Sequence, residues 1–179
     1  MKLNEIEQLL DKKEVKAFKK EIKKWLKPFK KKIAIEMSVR NECVISKPKI
    51  YVDVVRDLKI DNKIDTLHKK LYEESEYQFM TSLDFYTFAF LHELGHIMTV
   101  RPKDVLEEKE QHDEEFHLAI LEHFHETGER PSLETGTKYY MNTTFERKAN
   151  EWAYKFWQLN KDYCKKLEDI LIRYSVENI

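Results

Sequence analysis

Glycine and proline are scarce in this chain, whose 179 residues contain three glycines and four prolines. Turn-rich all-β folds use many more of both, so the composition favours helices. No apolar run approaches the roughly 20 residues of a membrane helix, and the first residues lack the continuous apolar region of a signal peptide. These absences predict a cytoplasmic protein that makes no contact with a membrane.

Cysteine is also sparse, and its placement argues against a disulfide framework. Cys43 and Cys164 are far apart in sequence and match no metal-binding or redox spacing, so we expect reduced thiols. A helix-turn-helix segment is missing as well. Because the lysine-rich N-terminus contains no arginine and no recognition-helix motif, direct binding to nucleic acid is not expected.

What the chain has is charge, unevenly spread. Apolar residues make up 41% of the sequence and charged residues 36%, enough for one domain with a real core. Residues 11–32 carry eleven lysines against three acids, and residues 104–134 carry eleven carboxylates against two basic residues. The two blocks can attract each other or face different partners. We expect a single domain over residues 1–179, with residues 1–32 as a lysine-rich helical extension.

One segment reads H-E-x-x-H, formed by His92, Glu93 and His96 inside an apolar run. Two histidines four residues apart on a helix share one face, so both imidazoles can reach one zinc ion. Glu93 turns towards the open side of that metal, where its carboxylate can take a proton from bound water. Because ionisable groups on a buried helix are costly unless paired or metal-bound, the segment predicts two metal ligands and a general base.

A third ligand is expected from a second helix. Its E-x-x-A-N pattern places Glu146 and Asn150 on one face, so Glu146 can bind the metal while Asn150 hydrogen-bonds a motif histidine. Small Ala149 and Ala153 would let the two helices approach closely. Glu151 is the alternative ligand, but it faces about 140° away from Glu146 on a helix. We therefore prefer Glu146.

The two motif segments resemble the ImmA/IrrE-type metallopeptidases, gluzincins found in mobile elements, phages and bacterial stress regulators. The resemblance covers Phe85–Met98 and Phe145–Phe156. It implies a zincin-like fold with one zinc ion per chain, held by the two motif histidines and Glu146, and Glu93 as the catalytic base. It also implies that the substrate is a protein partner, a transcriptional repressor whose cleavage relieves repression.

The remaining periodicities predict an α+β fold, mostly helical, with a small sheet beside the motif helix. One of the two strands predicted at 33–39 and 50–55 is expected to be the edge along which an extended substrate pairs. Helices are predicted at 3–29 (ended or kinked by Pro28), 63–79, 105–126 and 163–174, and strands at 33–39 and 50–55, with a turn at Asn41-Glu42 and a loop at 132–138. Expected helix caps are Ser82 or Asp84 for the motif helix, and Asn142 or Thr143 for the Glu146 helix.

The acidic stretch 104–126 is rich in histidine and leaves two alternatives open. Glu114 with His117, and Glu122 with His125, repeat the E-x-x-H spacing, and di-iron carboxylate bundles use two such motifs plus two further glutamates. An iron-handling helical bundle is therefore one alternative. A zinc-binding interaction module without catalysis is the other, although an intact Glu93 argues for hydrolysis, since a structural site needs no base.

A zincin also needs a hydrogen-bond donor for the negative charge that develops on the former carbonyl oxygen. Tyr139, Tyr140 and His125 are the candidates, and the sequence does not rank them. The expected partner is a protein or peptide substrate, and the oligomeric state is not predicted.

Overall fold

The computed structural model describes residues 11–38, 41–56, 67, 70–71, 74 and 85–177, which contain six α-helices, two short 3-10 helices (Lys27–Phe29 and Pro102–Asp104) and five short strands. The helices are α1 (Lys12–Leu26), α2 (Phe85–Thr99), α3 (Val105–Thr127), α4 (Leu133–Met141), α5 (Thr144–Leu159) and α6 (Lys161–Arg173). The strands are β1 (Ala34–Ser38), β2 (Glu42–Val44), β3 (Lys49–Asp53), β4 (Val55–Arg56) and β5 (Val176–Glu177). This mostly helical architecture with a small sheet confirms the predicted α+β class.

The main sheet has three strands in the order β1-β3-β2, with β3 in the centre. β1 runs parallel to β3, with Ile35 opposite Ile50, whereas β2 runs antiparallel to β3, with Cys43 opposite Ile50. Since β1 and β2 run in opposite directions, the chain reverses between Ser38 and Glu42, next to the turn predicted at Asn41-Glu42, although Glu42 itself already belongs to β2. It reverses again in a turn at residues 45–48. Pro48, which ends this turn, has no backbone N–H to contribute to a ladder.

The helix α2 lies at the centre of the fold, between the sheet and α5. Its apolar side chains Phe90, Leu91, Leu94 and Ile97 are at most 1% exposed. This burial on several sides matches the nearly continuous apolar sequence of the helix and gives the motif a rigid support.

The helices α2 and α5 meet at a point where no side chain fits between their backbones. A Cβ atom on Gly95 would lie 2.5 Å from the carbonyl oxygen of Ala149 and 3.0 Å from its Cα. Ala149 and Ala153 are fully buried. The close approach predicted from these two alanines is therefore present, and it sets the H-E-x-x-H segment of α2 against the first turns of α5.

The lysine-rich helix α1 packs into the same core. Asp11 and Glu14 form a capping box at its start, and Phe18 and Ile22 are fully buried. The indole N–H of Trp25 donates to the carbonyl oxygen of Tyr163 on α6 at 2.9 Å, and the two rings stack at 4.8 Å. The lysines of this helix thus cover one face of an element whose other face is core.

The acidic helix α3 ends at Gly128, which has a positive φ of 74°. The loop predicted at 132–138 is wrong, because these residues belong to α4 and its N-cap. The Ser132 side chain accepts from the Thr135 N–H at 3.1 Å, and Lys138 lies 3.4 Å from Glu134 one turn earlier. Local capping and an i,i+4 ion pair thus offset the low helix propensity of Gly136.

Several predictions fall outside the described residues: the stripe at Leu3, Ile6 and Leu10, most of the 63–79 helix, and the caps Ser82 and Asp84. Among the helices that are described, none is both long enough and apolar enough to span a membrane.

Candidate metal site

Three side chains from α2 and α5 bring their donor atoms to one point. The Nε2 atoms of His92 and His96 are 3.1 Å apart, and Oε2 of Glu146 lies 3.0 Å from the first and 3.6 Å from the second. His96 and Glu146 are each 4% exposed. Among the described residues, these three form the one group of His, Cys, Asp or Glu side chains whose donor atoms lie close enough together to hold a metal ion.

The spacing of these atoms suits a tetrahedral cation. Donor atoms about 2.1 Å from a tetrahedral zinc ion lie roughly 3.4 Å from one another. The observed separations of 3.0, 3.1 and 3.6 Å bracket that value. Two imidazole nitrogens and one carboxylate oxygen are also the donor set of many catalytic zinc sites. The residues present therefore fit a zinc ion.

His92 is oriented by a second side chain of α5. Its Nδ1 atom lies 2.7 Å from Oδ1 of Asn150, which is 1% exposed. Because an amide oxygen can only accept, Nδ1 carries the proton and donates it. In the neutral ring Nε2 then has a free lone pair aimed at Glu146 and His96, which is the tautomer that metal binding requires.

His96 is held by packing. Its ring stacks on Phe145 with centroids 4.2 Å apart and planes 21° apart. Its Nδ1 atom is buried and has no hydrogen-bond partner among the described residues. The two histidines therefore differ in support, one fixed by a hydrogen bond and the other by an aromatic ring.

Without a metal, the site behaves as a buried ion pair. Burial opposes the charged form of His92, but its hydrogen bond to Glu146 and the charges of Glu146 and Glu93 raise its pKa to about 9. Burial likewise opposes ionisation of Glu146, but hydrogen bonds from His92 and His96 hold the pKa of that carboxyl well below its usual range. Near neutral pH the metal-free site therefore holds a proton on His92, between the donor atoms that would bind a metal cation.

Glu93 lies beside this group, and its negative charge contributes to the raised pKa of both His92 and Tyr140. Cys43 of β2 is its neighbour. Burial, together with the charge of Glu93 and a hydrogen bond to it, raises the pKa of the Cys43 thiol far above its usual value. The structure thus places Cys43 at the site, which the sequence analysis missed because it placed a turn where β2 begins.

Of the three candidate donors, the structure brings one to the site. Burial, the charge of Glu146 and a hydrogen bond to that carboxylate raise the pKa of Tyr140. The Tyr139 hydroxyl instead lies 3.0 Å from Nδ1 of His123 on α3. His125 is exposed on α3. Successive tyrosines thus point to different surroundings, as expected for neighbouring positions on a helix.

The alternative ligand Glu151 faces away from the site. Its side chain is 57% exposed and lies 4.0 Å from Lys155, one turn later on α5. Glu114, His117, Glu122 and His125 are all exposed, and within the described ranges no metal-binding group forms around them. The repeated E-x-x-H spacing on α3 therefore falls on a solvent-facing surface.

Comparison with protein-family models, with curated proteins and with solved structures finds no match for this chain.

Proposed function

We propose that this protein is a zinc-dependent peptidase of the gluzincin type that cleaves a peptide bond in a protein partner. One observation carries the proposal: donor atoms of His92, His96 and Glu146 converge, with the carboxylate of Glu93 beside them. A purely structural zinc site is usually closed by four protein ligands and needs no neighbouring base, whereas catalytic sites use three.

The side chains have distinct roles in this proposal. His92, His96 and Glu146 would hold the zinc ion, which would supply the Lewis acidity needed to polarise a peptide carbonyl and acidify water. Glu93 takes the proton of the attacking water and transfers it to the leaving amine, so that it acts first as base and then as acid. Asn150 keeps His92 in the required tautomer.

Tyr140 is the donor for the carbonyl oxygen that becomes negatively charged in the transition state. Its phenol lies within hydrogen-bonding reach of Glu146. It is protonated at neutral pH, as an ordinary tyrosine with a pKa of about 10 is, and the site raises its pKa further. A neutral O–H at the edge of the metal site can donate to a developing oxyanion. Tyr139 is engaged with His123 instead.

The substrate binds as an extended segment along β2. The predicted strand at 50–55 cannot be this edge, because β3 is central in the sheet. Among the described strands, β2 is the edge strand that packs on α2, and its Cys43 contacts Glu93, so that a chain lying beside β2 reaches the base. Adding a strand to a sheet is a common way to hold a peptide extended. The resemblance of the motif segments to ImmA/IrrE-type peptidases makes a transcriptional repressor the proposed protein partner.

The test is cleavage of a mixed peptide library, read by mass spectrometry with zinc-loaded protein. The substitution Glu93→Gln removes the base but no ligand, so zinc content should be unchanged and turnover should fall by about 100-fold or more. Glu151→Gln removes the same charge from the exposed side of α5 and should leave turnover intact. Cleavage at the wild-type rate by Glu93→Gln would refute the assignment of the base. A zinc-loaded wild type that cleaves nothing would favour a non-catalytic zinc module.

A further inference from the structure

The first half of α3 is fastened to the beginning of α5, where Glu146 lies. Lys148 of α5 contacts both carboxylate oxygens of Glu108 at 2.8 Å. The carboxylate of Glu115 accepts a hydrogen bond from the backbone N–H of Thr144. The acidic helix therefore does more than present charge to solvent, because it positions the segment that carries a proposed metal ligand.

Thr143 occupies the N-cap position of α5, but its side chain makes no capping hydrogen bond. An N-cap threonine ordinarily accepts from the first free N–H groups of its helix. Here the Thr143 hydroxyl donates to the carbonyl oxygen of Tyr140 at 3.0 Å and lies 2.8 Å from Nδ1 of His112. Since its hydrogen is used towards Tyr140, the hydroxyl accepts from the imidazole N–H.

Glu115 replaces the missing cap. Its carboxylate accepts from the first N–H of α5, which is also the positive end of the helix dipole. Thr143, which is 3% exposed, is thereby free to connect α3 to the last turn of α4. The hydroxyl that would usually begin one helix instead holds the residue whose phenol lies at the metal site.

His112 contacts Tyr140 a second time, through its ring. The two rings meet edge to face with centroids 4.8 Å apart, and the centroid of the His112 ring lies 5.6 Å from that of Phe145, which stacks on His96. His112 thus reaches the backbone of Tyr140 through Thr143 and its ring directly. The side chain of His112 thus constrains both the backbone position of Tyr140 and the direction in which its phenol points.

The same helix carries a natural comparison. His123, three turns further along α3, has its Nδ1 atom 3.0 Å from the hydroxyl of Tyr139, and those two rings also meet edge to face, with an angle of 64° between their planes. This second histidine–tyrosine pair lies on the same two helices but away from the metal site. This pair therefore provides a control for the loss of a histidine–tyrosine contact outside the site.

We propose that His112 is a positioning residue, which acts through Thr143 to hold the phenol of Tyr140 over the metal site. This inference rests on the proposed function, in which Tyr140 donates a hydrogen bond to the oxyanion of the transition state. His112 itself touches neither the metal ligands' donor atoms nor the proposed base in this role. The first half of the acidic helix α3 then helps to position the side chains of the active site.

The first test needs no activity. The full-length metal-free protein is labelled with 3-fluorotyrosine, and the signals of Tyr140 and Tyr139 are assigned by their substitution with phenylalanine. Thr143→Val removes a hydroxyl that contacts the Tyr140 carbonyl, so a shift of the Tyr140 fluorine signal would report a moved ring. Thr143→Ser keeps the hydroxyl and should leave the signal in place. An unmoved signal in Thr143→Val would overturn the proposal.

The second test is kinetic and uses the best-cleaved peptide. His112→Phe and Thr143→Val should each lower kcat by about 10-fold or more, less than the roughly 100- to 1,000-fold expected for losing the donor itself. KM and zinc affinity should be unchanged, and Thr143→Ser should restore kcat. His123→Phe, the matched control on α3, should move the Tyr139 signal and leave kcat unaffected. A general loss of folding would instead affect both histidine variants.

Combining the substitutions separates this proposal from the proposed function. If His112 acts through Tyr140, then His112→Phe should lower kcat no further in protein that already carries Tyr140→Phe. An additional full loss in that background would overturn the proposal. A wild type without peptidase activity, in which both His112→Phe and Thr143→Val still move the Tyr140 signal, would contradict the proposed function and leave the positioning by His112 standing.

Discussion

Two parts of the molecule use their side chains in opposite ways. In the site region, made of His92–His96 and Thr143–Asn150, polar groups are buried and Gly95 lets two backbones touch. In the outer hairpin, made of the second half of α3 and the first half of α4, apolar groups face water. Its exposed members, between 41% and 62% accessible, are Leu118, Leu121, Phe124 and Leu133.

This difference separates residues that folding alone explains from residues that need a functional reason. Exposed apolar side chains occur on most protein surfaces and do not by themselves indicate a function. Buried ionisable groups are costly unless something compensates their charge, and the site region concentrates His92, His96 and Glu146 against a fully buried Ala149. A cation held by these three side chains supplies that compensation. Equivalent substitutions in the two regions should therefore have unequal effects.

The largest contrast is expected between two glutamates of α5. Glu146→Gln weakens a proposed metal ligand. Loss of a residue that only hydrogen-bonds a ligand typically lowers metal affinity by roughly 10- to 100-fold, and the loss of zinc affinity here should be larger. Glu151→Gln changes the same charge on a side chain that is 57% exposed and should leave zinc affinity unchanged. Competition with a chelating dye measures both. Equal losses would mean that charge near α5, and not ligation by Glu146, holds the metal.

Two glycines give the next contrast. Gly95→Ala would place a Cβ atom 2.5 Å from the backbone of Ala149, so the unfolding free energy should fall by about 1–3 kcal/mol and zinc affinity should fall with it. Gly136→Ala in α4 meets nothing within 4 Å and should stabilise the protein by about 0.5–1 kcal/mol. Urea unfolding of both variants gives the comparison. A Gly95→Ala protein as stable as wild type would show that α2 and α5 can separate freely.

A smaller effect is expected from the support of His92. Asn150→Ala removes the oxygen 2.7 Å from Nδ1 of His92 and should lower zinc affinity by about 10- to 100-fold. Asn150→Asp keeps an acceptor at that position and should retain most of the affinity. If both variants lose zinc equally, then Asn150 supports packing and not the histidine tautomer.

The pH dependence of metal binding follows from the raised pKa of His92, which is about 9 in the metal-free site. Below that pH the imidazole must lose a proton before it can bind metal, so zinc affinity should rise about tenfold per pH unit towards pH 9 and then level off. Calorimetry at neutral pH in buffers of different ionisation enthalpy should show release of about one proton per zinc. No proton release would contradict a protonated His92.

The raised pKa of His92 also makes the stability of the metal-free protein depend on pH. A histidine whose pKa is raised on folding stabilises the fold fully below its unfolded pKa, about 6.5, and this contribution is lost as pH rises through about 9. Glu146, whose pKa is lowered, contributes above its unfolded value and loses that contribution in acid. The pair should therefore stabilise the metal-free protein most at mildly acidic pH.

Local spacing in the sequence was enough to predict the parts of the site that lie on single helices. Four-residue steps place His92 with His96, and Glu146 with Asn150, and small Ala149 predicts the helix contact. These relations depend on helix geometry alone. The structure brings the two pairs together as the patterns predict.

Other parts depend on contacts that no local pattern encodes. Cys43 reaches Glu93 only because β2 adds to the outer side of the sheet, and a three-residue strand has too short an alternation to recognise. The choice of Tyr140 over Tyr139 depends on how α4 is rotated against α3. His112 could not be selected among the histidines of the acidic helix, since only packing decides which of them faces inwards.

Metal content of the native, untagged protein tests the central claim most directly. Protein purified without chelator should contain one zinc ion per chain by elemental mass spectrometry, and His96→Ala should lose it. Zinc at that stoichiometry in the wild type and its loss in the variant are what the converging donors of His92, His96 and Glu146 predict. Two irons per chain, or no metal at all after incubation with zinc, would contradict the account.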